Sequence, residues 1–233
     1  MSYDIHQISL FRRVIADCVG TALLLATIVG SGIMGERLAG GNAALALFAS
    51  TIATGAVLVA IILAFGSISG AYFNPAVTLS DASQGKIAWR EVPLYVVGQV
   101  AGAFIGVASA HLMFERLVFF ESNRPRDGVA QVFSEFIATF GLLIVIRGCS
   151  HRRSEATPFA VGAYIAAAHW FTSSTSFANP AVTLARSVSD TSAGIRLIDV
   201  PGFIVAQLIG AATATLLFRW LVPKLPADSK EAS

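Results

Sequence analysis

The hexapeptide Asn-Pro-Ala-Val-Thr-Leu occurs twice in the chain, at residues 74–79 and again at residues 179–184. Asparagine is favoured just before the first turn of a helix, and proline fits the first helical position because its missing N–H would have no partner there. We therefore expect one helix from residue 74 to about 84 and a second from residue 179. Each would span roughly 15 Å, half a bilayer, after a re-entrant segment at residues 67–73 or 172–178.

The composition indicates a membrane protein. Hydrophobic residues make up 55% of the 233 residues and charged residues only 13%, whereas a soluble domain carries about 25% charge. This excludes a soluble enzyme, a nucleic-acid-binding module and a disordered chain. Cys18 and Cys149 lie far apart in apolar runs, so we expect no disulfide framework, no metal site and no cofactor.

Six largely uncharged runs predict six membrane crossings. Two of these runs are too long for a single crossing, and the short helices after the repeated hexapeptides account for the excess. We therefore predict an all-α membrane protein with six transmembrane helices and two re-entrant half-helices. The runs are residues 14–34, 38–80, 92–114, 129–146, 156–185 and 200–218.

The hexapeptides belong to a longer internal repeat. Asp17 and Glu135 precede the two copies, and Gln99 and Gln207 follow them in the same order. Each half of the chain would cross the membrane three times, so the halves at about 11–118 and 129–222 must lie upside down relative to each other. We expect one channel domain at 1–222, a cytoplasmic tail at 223–233 and a solute path at the repeat interface.

Two Asn-Pro-Ala boxes in two inverted three-helix halves resemble the aquaporin, or major intrinsic protein, family. The resemblance implies two half-helices that meet at the centre and a homotetramer with one pore per subunit in the lipid bilayer. It also implies passive flow of water or small uncharged solutes, and neither enzymatic activity nor a nucleic-acid partner. The predicted pore boxes are Asn74, Pro75, Ala76, Asn179, Pro180 and Ala181.

The resemblance assigns Asp17 and Glu135 to hydrogen bonds with the re-entrant backbones, with a proton relay as the alternative for Glu135. Asp17 is one methylene shorter than the usual glutamate, so its carboxylate has less reach. Gln99 and Gln207 are interpreted as polar contacts between helices rather than as pore residues. The two helix N-termini and the two box asparagines would oppose cations at the centre of the pore.

The resemblance also places a selectivity filter at Thr54, His169, Ser176 and Val182, with Ala167 as the alternative to His169. Water-selective relatives carry an arginine at the position of Val182 and a bulky aromatic residue at that of Thr54. Their absence predicts a wider, partly apolar filter without a fixed charge. We expect His169, if it lines this filter, to donate a hydrogen bond to the solute, and a packed or interfacial histidine is the alternative.

Arg186 lies four residues beyond Val182, on the same face of the half-helix one turn further along. It is a candidate for the outer vestibule, and an interfacial or loop-pairing arginine is the alternative. The inner face would hold ten Lys or Arg and the outer face six. We therefore expect both termini in the cytoplasm and the chain in the cell membrane of a bacterium, its inner membrane.

Because a valine follows the second Asn-Pro-Ala box, the chain resembles the arsenic-linked bacterial branch of the family. That resemblance implies metalloid hydroxides such as arsenite, together with methylated arsenicals, as solutes. Glycerol or another polyol is the alternative within the same class. A proton-coupled transporter and a non-conducting membrane protein are the alternatives from other classes, since both can be built from inverted repeats.

Overall fold

The computed structural model describes residues 8–222, and the predicted tail at 223–233 lies outside this part of the chain. The described residues form helices without any strand, in the same order in both halves: two long helices, one half-helix and another long helix. The helices are α1 (Leu10–Leu38), α2 (Ala43–Ser69), α3 (Pro75–Ala82), α4 (Val92–Met113), α5 (Val129–Arg152), α6 (Thr157–Phe171), α7 (Pro180–Arg186) and α8 (Val200–Leu221).

The half-helices α3 and α7 begin where the repeated hexapeptides predict. The Asn74 side chain accepts from the backbone N–H of Ala76, and that of Asn179 accepts from the N–H groups of Ala181 and Val182. The helices contain 8 and 7 residues, which gives each a length of roughly 10–12 Å. The first therefore ends two residues before the predicted boundary.

The first re-entrant segment is shorter than predicted, because α2 continues through Ser69 rather than ending before residue 67. The Ser69 hydroxyl donates to the Asp17 carboxylate at 3.1 Å, which holds the last turn of α2 against α1. Gly70 then ends the helix with φ +88°, a left-handed conformation that glycine adopts readily. The second segment begins at Thr172, as predicted.

Five of the six long helices are long and apolar enough to cross a membrane. The sixth, α6, has only 15 residues and follows a 3₁₀ turn at Ser154–Ala156. Large apolar side chains cover the outward faces of the bundle, as lipid contact requires. Examples are Phe48, Ile52, Ile105, Phe133, Phe159 and Leu216. The predicted six-helix, two-half-helix fold is confirmed.

Small residues set the distances between the long helices. A Cβ atom at Gly102 on α4 would lie 2.2 Å from the Cys18 carbonyl oxygen of α1, and one at Gly210 on α8 would lie 2.5 Å from a backbone oxygen of α5. At the crossing of α2 and α6, Gly55 and Gly162 face each other. These contacts bring the backbones together, as is usual for membrane helices.

Candidate functional site

The two Asn-Pro-Ala boxes meet at the centre of the fold. The Asn74 side-chain amide donates to the Ala178 carbonyl oxygen at 2.8 Å, and the Asn179 amide donates to the Phe73 carbonyl oxygen at 2.7 Å. Each half-helix is thus tied to the re-entrant segment of the other half. An asparagine amide has two N–H groups, and both asparagines line a central cavity, so each has a second donor for a solute there.

Glu135 holds the second re-entrant segment. Its carboxylate accepts from the backbone N–H of Phe177 at 2.9 Å and of Ala178 at 2.8 Å. The Gln207 amide donates to the same carboxylate at 2.6 Å and to the Thr183 hydroxyl at 2.8 Å. Gln207 therefore links α5, α7 and α8, which agrees with its predicted position between helices.

Asp17 holds the first re-entrant segment in the same way. Its carboxylate accepts from the backbone N–H of Tyr72 at 3.0 Å and of Phe73 at 3.1 Å. The Gln99 amide donates to it at 2.7 Å and to the Thr78 hydroxyl at 2.8 Å. The shorter acid therefore reaches its segment, although its backbone contacts are slightly longer than those of Glu135.

A glycine on α1 compensates for the missing methylene. Gly20 lies three residues after Asp17 and faces the Phe73 ring, where a Cβ atom at Gly20 would be only 2.0 Å from a ring carbon. Ala138 stands at the corresponding position after Glu135. The absence of a side chain at Gly20 lets the ring and its backbone come close to α1, which shortens the distance that the carboxylate must span.

The central cavity has a volume of about 260 Å³ and extends past both box asparagines. We name its two ends after the half-helix that finishes there, the α3 end and the α7 end. Asp81, Lys86, Ser150 and Thr157 line the α3 end. Toward the α7 end, the cavity is lined by Thr54, His169, Ser176, Val182 and Arg186.

The four residues predicted for the filter thus come together, and we call them the neck: Thr54, His169, Ser176 and Val182. Ala167, the alternative to His169, is exposed on the outer face of α6. The hydroxyl oxygens of Thr54 and Ser176 are buried, with no hydrogen-bond partner among residues 8–222. Buried hydroxyls without partners are unfavourable, so a solute with polar groups would be favoured at this point.

His169 differs from the expectation that it donates to the solute. Its Nδ1 atom lies 2.7 Å from the Ile165 carbonyl oxygen. A carbonyl can only accept, so Nδ1 carries the proton and Nε2 of the neutral ring is an acceptor. His169 therefore offers a lone pair to the neck, and a solute hydroxyl can donate to it.

Arg186, predicted for the outer vestibule, lies between the neck and a second cavity. This second cavity, of about 440 Å³, adjoins the central one, and Arg186, His169 and Ile28 line both. The guanidinium carbon is 3.3 Å from the centroid of the Phe177 ring, and Nε donates to the Ala193 carbonyl. Arg186 thus also pairs with a loop, as the alternative interpretation expects, because Ala193 lies in the loop after α7.

Arg126 is a residue of this site that sequence reasoning missed. Its guanidinium carbon lies 5.3 Å from the Phe177 ring, and it donates to the carbonyl oxygens of Ser174, Ser192 and Gly194. Burial lowers the pKa of Arg126 below its ordinary value, and the Glu135 carboxylate opposes that shift. No sequence pattern predicts these contacts, because Arg126 lies in an irregular loop between α4 and α5.

The α3 end contains an ion-pair cluster that was also not predicted. The Asp81 carboxylate lies 3.1 Å from Arg147 and 3.5 Å from Lys86, and Arg147 donates to the Ser80 carbonyl at 2.8 Å. The repeat contains a signal for this residue, since Asp81 and Arg186 both come seven positions after a box asparagine. The two half-helices therefore finish with opposite charges.

Comparisons with known proteins identify a family and relatives that match most of this chain. The family model described as major intrinsic protein matches residues 4–178 and 155–232. Aquaglyceroporin AqpS of Rhizobium meliloti (strain 1021) is 51% identical over 217 residues, which cover 93% of each chain. Aquaporin Z of Bradyrhizobium diazoefficiens is 28% identical over 90% of this chain and 93% of its own.

The fold is also shared with a solved structure. The X-ray structure of the aquaglyceroporin from Plasmodium falciparum matches with a TM-score of 0.68 at 22% identity, over 90% of this chain and 96% of that one. At this identity the likeness shows the fold alone, whereas the family match and the Rhizobium relative cover most of the sequence. The chain therefore belongs to the major intrinsic protein family.

Proposed function

We propose that the chain forms a membrane channel for passive diffusion of small uncharged solutes, with water as a second permeant. Family membership and the likeness to aquaglyceroporins support a solute such as glycerol. The observation that carries the proposal is the central cavity, which runs from Asp81 past Asn74 and Asn179 to Arg186. A path of this kind at a repeat interface suits a channel.

The centre of the path would exclude cations. The N-termini of α3 and α7 meet there, and each carries the positive end of a helix dipole. Asn74 and Asn179 add amide donors, which favour a passing oxygen atom and oppose a cation or a proton. The cavity-lining carboxylate of Asp81 is already paired with Arg147 and Lys86, so it offers little compensation.

The neck favours solutes with several hydroxyl groups. Thr54 and Ser176 have hydroxyls without a partner among residues 8–222, and within the same residues no donor bonds to Nε2 of His169. Val182 adds an apolar wall where water-selective relatives have a long cationic side chain. We propose metalloid hydroxides such as arsenous acid, and methylated arsenicals, as solutes, because arsenous acid is a small neutral molecule with three hydroxyls. Glycerol is the second candidate, supported by the name of the Rhizobium relative.

We further propose that the α7 end faces outward and that both termini lie in the cytoplasm of a bacterium, because most Lys and Arg residues flank the opposite face. Assembly as a homotetramer is proposed from family likeness. Cysteine labelling from outside intact cells tests the orientation, and chemical cross-linking in native membranes tests the assembly. Labelling of the α3 end from outside would reverse the proposed orientation.

The direct test replaces Val182. Val182→Arg adds a long cationic side chain to the neck, so arsenous acid and glycerol flux should fall by about tenfold or more, which requires roughly 1.4 kcal/mol of additional barrier. Water flux should fall less, because the added donors suit a file of water molecules. Val182→Ala should leave solute flux equal or higher. Stopped-flow light scattering on proteoliposomes measures all three fluxes.

Val182→Met is the matched control, because methionine fills the neck without adding a donor or a charge. It should lower solute and water flux together. Flux should also persist without a proton gradient. Unchanged glycerol and arsenous acid flux in folded Val182→Arg protein would show that Val182 does not border the path. Absence of any flux in the unmodified protein would reject the channel itself.

A further inference from the structure

Arg186 is a buried cation with N–H donors that the described part of the chain does not use. Its exposure is only 4%, and its Nε donates to the Ala193 carbonyl. Within residues 8–222, neither terminal nitrogen has a hydrogen-bond acceptor or a carboxylate partner. Arg186 lines both cavities, so these terminal N–H groups are available to a ligand where the cavities join.

The guanidinium plane is fixed in place. Its central carbon lies over the Phe177 ring, 3.3 Å from the ring centroid, and the Phe203 ring packs edge-on against the Phe177 ring at a centroid distance of 5.3 Å. A stacked guanidinium presents its N–H groups outward in its own plane, with the spacing of two oxygens bonded to one atom. This arrangement selects for a planar pair of oxygens rather than for a spherical ion.

The charges around this point favour an anion. Arg126 approaches the same aromatic ring as a second cation. The carboxylate oxygens of Glu135 are already occupied by two backbone N–H groups and a glutamine amide. In the second cavity, Glu36 lies 3.4 Å from Arg124, so that pair is balanced. In the described part of the chain, Arg186 therefore remains as a positive charge without a counter-ion.

We propose that the junction of the two cavities is a binding site for a small monovalent oxyanion with two oxygens on one atom, held by Arg186. A monocarboxylate and the monoanion of an oxyacid both have this chemistry. The blocking effect rests on the proposed channel function. The bound anion would lie in the solute path. To enter the neck it would have to lose its hydration shell, and Val182 and two hydroxyls cannot replace that water. The anion therefore stays at the junction and obstructs neutral solutes.

Binding is tested without transport, by thermal unfolding of the purified full-length protein in detergent. Sodium nitrate is the probe, because nitrate is a planar monovalent oxyanion, and sodium chloride at equal ionic strength is the control. Nitrate should raise the Tm of the unmodified protein along a saturation curve, beyond any chloride effect. Arg186→Gln should remove the difference between the salts.

Two further variants separate geometry from charge. Arg186→Lys keeps the charge but loses the planar fork, so half-saturation should need about tenfold more nitrate, the value of one hydrogen bond to a charged group. Arg124→Gln removes an equal charge from the border of the second cavity and should leave the nitrate response unchanged. If Arg186→Gln does not fold, the lysine variant carries the comparison.

The block is tested by glycerol flux into proteoliposomes, with nitrate or chloride on both faces. Nitrate should slow flux at the concentrations that raise the Tm, and Arg186→Gln should be insensitive. Equal Tm values in nitrate and chloride would overturn the site, and so would a nitrate response that survives in Arg186→Gln. Binding without slower flux would overturn the block. A nitrate-dependent Tm in a protein without glycerol flux would reject the channel and keep the site.

Discussion

The two half-helices start with the same six residues but finish in opposite ways. Seven residues after its asparagine, α3 carries Asp81, whose carboxylate is paired with Arg147 and Lys86. At the same position α7 carries Arg186, which stacks on an aromatic ring and has no carboxylate partner among the described residues. The charge at the α3 end of the cavity is thus neutralised by ion pairs, whereas the charge at the α7 end is available to a ligand.

This difference separates structural from functional use of a buried charge. Removing one partner of a buried ion pair leaves the other charge uncompensated, which strongly destabilises a protein. A buried cation without a counter-ion lowers the stability of the folded protein. Its removal therefore changes the free energy of unfolding only a little. The α3 end should therefore respond to mutation mainly in stability, and the α7 end mainly in ligand and solute selectivity.

The largest stability effect is expected from Asp81→Asn. It leaves the 8% exposed side chain of Arg147 without its carboxylate, and breaking a buried pair costs about 3–5 kcal/mol of unfolding free energy. Denaturant unfolding in detergent, followed by intrinsic fluorescence, measures the loss. The double variant Asp81→Asn with Arg147→Met should recover part of this loss. If Asp81→Asn alone loses less than about 1 kcal/mol, the ion-pair cluster does not stabilise the fold.

Glu135→Gln should come next, and Asp17→Asn should have a similar effect in the other half. Each change turns one carboxylate oxygen into a donor that faces backbone N–H groups, and a buried donor without an acceptor costs about 1–3 kcal/mol. The pH dependence of solute flux should remain unchanged. If folded Glu135→Gln protein instead lost a steep pH dependence, Glu135 would be a proton site rather than a support.

The box asparagines should show a smaller and unequal effect. Replacing a helix-capping asparagine by alanine costs about 1 kcal/mol. Asn179→Ala should cost more than Asn74→Ala, because Asn179 caps two backbone N–H groups and Asn74 caps one. Both variants should admit protons more readily in a vesicle assay with an internal pH dye. Equal proton exclusion in all three proteins would contradict a central barrier at the asparagines.

Arg186→Gln should change stability least, by about 1 kcal/mol or less, because the lost cation–π contact is offset by removal of a buried charge. The same denaturant measurement, made beside Asp81→Asn, compares the two ends directly. A larger loss for Arg186→Gln than for Asp81→Asn would reverse the comparison and assign the structural role to the α7 end.

Local sequence patterns predict much of this molecule. The box residues predict both half-helix starts, because capping needs only residues close together in the chain. The repeat pairs Asp17 with Glu135 and Gln99 with Gln207, and the structure joins each acid to its glutamine. These features were predictable because each is present twice, in the same order.

Contacts made through loops and across elements were not predictable in this way. Arg126 reaches Phe177 from an irregular segment, and Arg147 reaches Asp81 across 66 positions of sequence. The proton position on His169 depends on a single carbonyl in the preceding turn of α6. Such contacts depend on how helices are placed in space, which neither periodicity nor composition reports.

The crossed amide contacts have a consequence for biogenesis. The Asn74 amide needs the carbonyl of Ala178, which is synthesised 104 residues later, and the Asn179 amide needs the carbonyl of Phe73. While the ribosome still translates the second half, the first half-helix has no partner for that donor. The two re-entrant segments must therefore settle together, as a late and joint event of insertion. A nascent chain that stops early leaves an unfinished bundle rather than half of an open pore.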